Sequence, residues 1–199
     1  MNDFFYYLQE GFQHIVNLQS YDYLLFILVL GIVHASQEWK KLFIIMIAFT
    51  IGHSTTLILC SLDVFRVDFT LTKALIPITI LVIIILNFFY HEKRDQRERD
   101  RNAIRYICAL IFGSVHGVAF SHYLVSLSST VTTSQLIGFN IGIEVGAISI
   151  LIPFILISFM LVHLFRIKKR ELILIISSAI ASFAILVLRE RLHELNFPL

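Results

Sequence analysis

Charge is what this sequence has least of. Asp, Glu, Lys and Arg make up 15% of its 199 residues, against roughly 25% in an ordinary soluble domain. That scarcity, with 57% hydrophobic residues and a mean hydropathy of +0.81, excludes a water-soluble domain. It also excludes a disordered chain, which needs low hydrophobicity and high charge. Basic residues are not gathered into a stripe, and the formal net charge is only +2, so no nucleic-acid partner is expected. Cysteine is down to two residues, Cys60 and Cys108. They belong to opposite ends of different apolar runs, so no disulfide is expected. A basic n-region and a small-residue cleavage site are also missing from the first apolar stretch, so it does not read as a signal peptide.

What the chain has instead is long apolar runs, and its expected partner is a lipid bilayer. A membrane helix needs about 20 apolar residues to cross a core of about 30 Å. Six runs approach that length: roughly 21–35, 42–62, 71–90, 104–127, 136–164 and 172–189. Runs such as ILVIIIL at 80–86 do not alternate, which excludes a β-barrel. Backbone groups in lipid must be satisfied within their own segment, so the runs are read as helices. The expected fold is an all-α polytopic membrane bundle forming one domain over 1–199, with six spanning helices in 21–189. Residues 1–20 are expected to form an interfacial amphipathic helix, because Phe4, Leu8, Phe12 and Ile15 share a face opposite Asp3, Glu10 and His14. Alternate connections hold twelve Lys and Arg residues, the others four. By the positive-inside rule both termini are then extracytoplasmic.

Ionisable residues inside spans are costly and usually functional. His53, His116 and Glu144 lie on three different helices at roughly 13, 15 and 12 Å from the outer boundary, counting 1.5 Å per residue. That common depth is what a shared site in the outer half of the bundle requires. Asn140 stands one turn before Glu144, and Asp22 and His14 precede the first span on the outside. Gly138, Gly142 and Gly146 form a doubled small-xxx-small ridge, and Gly113 and Gly117 a second one, both suited to close helix contact. At 100° per residue, Asn140 and Glu144 point nearly opposite the first ridge. Ser54 adjoins His53, but neighbours on a helix diverge, so they form no catalytic dyad. Imidazole and carboxylate together suit Zn²⁺, Ni²⁺ or Co²⁺. A purely structural network of hydrogen bonds between helices is the alternative.

The segments EGFQHIVNLQSYDYLLFILVL (10–30), FTIGHSTTL (49–57), FGSVHGVAF (112–120) and FNIGIEVG (139–146) resemble the HupE/UreJ family of bacterial membrane proteins, in its short branch without a soluble domain. The resemblance implies a multi-pass protein of the bacterial cytoplasmic membrane concerned with nickel or cobalt entry. His14 and Asp22 match the family's first motif with a longer spacing, and Tyr23 stands where the family has a second His. His116, Gly117 and Ala119 match the later motif, with Val115 in place of its Phe and Ser121 in place of its Glu. The expected function is therefore a divalent-metal permease. Its ion would be held by His14, Asp22, His53, His116 and Glu144, with Tyr23, Ser54 and Asn140 beside them. An intramembrane zinc hydrolase acting on a lipid-linked substrate, and a noncatalytic membrane partner, stand as the alternatives.

Overall fold

The computed structural model describes residues 3–17, 21–34, 39–65, 67–89, 96–127 and 131–195. Its elements are α1 (Asp3–Val16), α2 (Tyr21–His34), α3 (Trp39–Ser61), α4 (Phe69–Phe88), α5 (Gln96–Leu127), α6 (Thr133–His163) and α7 (Lys169–Glu194). Among the described residues there is no strand. Two helix starts come earlier than the hydropathy suggests, because caps set them. Asp68 accepts a hydrogen bond from the Leu71 amide at 2.9 Å and opens α4. Thr132 and Gln135 form a reciprocal capping box at the head of α6, which satisfies two otherwise orphaned groups.

Five helices, α3 to α7, are long and apolar enough to cross a membrane. Their outer faces carry the apolar excess. The most apolar window of α6 is only 22% buried, and α3 turns Phe43, Ile47, Ile51 and Ile58 outward. Such continuous apolar surface is tolerable only against lipid. The expected first span differs. α2 has 14 residues, about 21 Å at 1.5 Å per residue, and it meets α1 at a 70° bend, so only the two together make a sixth candidate span. From Tyr23 to Val33 no residue of α2 is exposed. It is the core of the bundle, with α4, α6 and α7 packed around it.

Side-chain pairs fix the helix directions. Gly113 abuts Phe49, and Gly117 abuts His53, so α3 and α5 are parallel. Thr50 meets Glu144 while Ser54 meets Asn140, so α3 and α6 are antiparallel. Tyr21 packs on Phe183, and Asn87 joins Val29 to Ser177, so α2 runs against α7. One end of the bundle thus collects Tyr21, Asp68, Tyr123, Phe139 and Arg191, and the other collects Asn87 and Arg105.

The N-terminal segment departs from the interfacial position expected for 1–20. α1 runs alongside the first half of α6, in parallel, with Phe4 at Gly138, Leu8 at Gly142 and Ile15 at Gly146. The apolar face that suggests lipid is instead the face that seats on the glycine ridge. A Cβ at Gly142 would collide with the Leu8 carbonyl oxygen, and one at Gly11 with that of Phe139. Glycine on both helices is what allows the backbones to touch. The opposite side of α1 faces α5, where the Tyr123 hydroxyl donates to Glu10 at 3.1 Å.

Candidate functional site

Gly117 brings α5 against the His53 carbonyl, and Thr56 ties the same helices by donating to Ser114 O at 2.8 Å. This close approach carries His53 and His116 into one layer behind the ring of Phe120. Three imidazoles share that ring: His14 and His53 each have their centroids 5.2 Å from it and His116 lies 5.7 Å away. Tyr23 from α2 completes the group, 5.5 Å from His116 and 6.0 Å from Phe120. Phe49 and Phe112 close the inner side, stacked or tilted on His53 and His116. His14, His53 and His116 are near enough to interact electrostatically.

The burial of this group is nearly complete. Tyr23 and His53 are 0% exposed and His116 is 1% exposed. Yet both ring nitrogens of His53, both of His116, Nδ1 of His14 and the Tyr23 hydroxyl have no hydrogen-bond partner. A buried polar atom left unpaired costs about 1–3 kcal/mol. A structural network would be expected to satisfy its own members, and here the network reading finds no bonds among the histidines. Neutral imidazole nitrogens are the commonest ligands of borderline transition metals, so the donor chemistry fits such an ion. The ligands do not converge, however. Among the described residues no three His, Cys, Asp or Glu side chains form a ready-made metal cage.

Glu144 and Asn140 face α3, opposite the glycines. Glu144 Oε1 lies 2.8 Å from the Thr50 hydroxyl, which is also 2.9 Å from Met46 O on its own helix. The hydroxyl owns one proton and meets two acceptors. Thr50 shares that proton between the Glu144 carboxyl oxygen and the carbonyl of its own helix, a three-centre bond. One turn away, Asn140 Nδ2 donates to Ser54 Oγ at 2.7 Å, which leaves Asn140 Oδ1 without a partner.

Two clefts open at the end of the bundle that holds Tyr123 and Arg191. One, of about 430 Å³, reaches inward to His116 and Phe120 and is lined by His14, Asp22, Lys73 and Arg191 among others. Asp22 is half-buried at the mouth, where its Oδ1 accepts from the Tyr23 amide at 2.9 Å. The second, of about 640 Å³, holds Cys60, Asp63, Asp68 and His122. His14, Asp22 and His116 therefore share one cleft. His53 sits behind Phe120, and Glu144 is on the α3 side. Sequence reasoning missed Phe120, Thr50 and Arg191. Phe120 had no signal, because an aromatic in a span reads as packing. Arg191 lies beyond the apolar run 172–189, yet α7 continues through it to Glu194.

The family model described as "HupE / UreJ protein" matches residues 1–191. No curated protein and no solved structure matches the chain.

Proposed function

Because the chain belongs to the HupE/UreJ family, which is associated with nickel and cobalt transport, we propose that it is a divalent transition-metal permease of the bacterial cytoplasmic membrane. Both termini lie outside, and the two clefts open to the extracytoplasmic side. His14 and Asp22 receive the metal, which is the cargo and not a resident cofactor. His116 and then His53 take it past Phe120 with their unpaired ring nitrogens. Glu144 exchanges a proton as the ion leaves the imidazoles, since a charged carboxylate is far cheaper beside a cation than alone in a span.

The observation that carries this reading is the full burial of two histidines with four unpaired nitrogens directly behind a cleft that reaches one of them. Incomplete convergence of the ligands suits transport, because an ion that must leave needs sites weak enough to release it. The test is uptake of radioactive nickel and cobalt by proteoliposomes holding His116→Ala. Uptake should fall at least about tenfold, the loss of roughly one ligand bond worth of 1.4 kcal/mol or more. Normal uptake by a folded His116→Ala protein refutes the role.

A further inference from the structure

The outer cleft carries a charge pattern that a bare cation would not meet gladly. Its lining includes two basic side chains, Lys73 and Arg191, and one acidic one, Asp22. Lys73 Nζ sits 4.2 Å over the Phe69 ring, and among the described residues no carboxylate is paired with it. Arg191 is tied to Glu194 at 3.0 Å and stays only partly exposed. A divalent aqua ion approaching His14 and Asp22 therefore meets Lys73, which has no paired carboxylate among the described residues, and Arg191, whose charge Glu194 offsets in part.

Size and ligand number point the same way. A volume of about 430 Å³ is that of a small organic molecule's pocket, far larger than one coordination sphere. The lining is also aromatic, with Tyr21, Phe69, Phe120 and Tyr123, which suits an organic surface more than hydration water. His14, Asp22, His116 and His122 line the cleft, but among the described residues they form no three-ligand cage. A metal that arrives already chelated needs only one or two ligands from the protein.

Resting on the permease reading above, we propose that the substrate of this cleft is a metal chelate of a small carboxylate-bearing molecule, and that Lys73 and Arg191 bind its carboxylates while His14 and His116 face the metal. Charge-assisted bonds from ammonium and guanidinium to carboxylate are the strong, orienting ones. The chelator is an amino acid or a hydroxycarboxylate; both present the same group to the two bases.

The test uses purified full-length protein, for binding in detergent and for uptake in proteoliposomes, with ⁶³Ni offered as the aqua ion, as nickel citrate and as nickel bis-histidine. At equal total nickel at least one chelate should bind about tenfold or more tighter than the aqua ion, and the tighter of the two identifies the chelator class. Lys73→Gln and Arg191→Gln should each lower that preference about tenfold, and Lys73→Arg should keep it. The preference ratio is read within each folded variant, so a general loss of protein does not mimic the effect. Equal or tighter binding of the aqua ion, or a ratio unchanged in both glutamine variants, overturns the inference. Chelate binding with the expected ratios but no uptake would sink the permease reading alone. Saturable uptake of the aqua ion with no chelate preference would sink this inference alone.

Discussion

Replacing His53 by Phe separates a functional histidine from a structural one, because the two readings predict opposite signs for stability. The imidazole is 0% exposed, lies flat against Phe49 at 5.7 Å between centroids, and meets Phe120 edge-on at 5.2 Å. A phenyl ring keeps both aromatic contacts. It also removes two nitrogens that have no partner, each of which costs about 1–3 kcal/mol when buried. The extra ring volume costs about 1–3 kcal/mol through overpacking. The difference leaves His53→Phe stabilised by roughly 1–3 kcal/mol, or about 2–12 °C in apparent midpoint for a chain of this size. Nickel uptake should meanwhile fall at least about tenfold. Thermal denaturation in detergent and uptake in proteoliposomes are measured on one preparation. A variant destabilised by more than about 1 kcal/mol would mean that the nitrogens are bonded in the native protein. A stabilised variant with full uptake would mean that His53 takes no part in function. Either result removes His53 from the path.

Glu144→Gln should fold normally, because the amide oxygen can accept from Thr50 as the carboxyl oxygen does, but uptake should lose its dependence on an imposed pH gradient; retained proton dependence rules out Glu144 as the exchanging group. Gly142→Leu should abolish a monodisperse protein in detergent, since even a Cβ there meets the Leu8 backbone; an unaffected elution profile would mean that α1 does not seat on α6. In a variant lacking both native cysteines, Val64→Cys (64% exposed, between α3 and α4) should react with an impermeant maleimide on intact cells. Leu164→Cys (67% exposed, between α6 and α7) should react only after permeabilisation; the reverse pattern inverts the proposed topology.

How much of this was legible follows from what each signal measures. Hydropathy measures length along an axis, so α3, α4, α6 and α7 were readable within a few residues, and α5 was readable except for its N-terminal turns. Those turns begin at Gln96, inside a mixed-charge run that hydropathy scores as loop or extension. Periodicity measures rotation about a single helix. It therefore placed Glu144 and Asn140 opposite the Gly138–Gly142–Gly146 ridge, and the two faces do meet different neighbours, α3 and α1. Neither signal reports which helix a face will meet. The apolar face of α1 fits a bilayer surface and a glycine groove equally well by pattern. The groove wins because it offers backbone-to-backbone contact from Phe4 to Phe12, which fluid lipid cannot supply.

The same limit explains the site. Equal depth placed His53, His116 and Glu144 in one layer, but a layer of this bundle is wide enough to hold two separate clusters. Glu144 closes onto Thr50, and the histidines close around Phe120 with Tyr23. Phe120 decides the arrangement. It fills the point where a bound ion would be held by converging ligands, so the imidazoles are gathered around an aromatic ring instead of around one another. On the permease reading proposed above, rotation of that one phenyl side chain would pass an ion from His116 to His53 without the helices coming apart. The polar residues that sequence marks as misplaced in lipid are thus only half of the cluster; the other half is apolar, and no scale of residue cost in membranes would single it out.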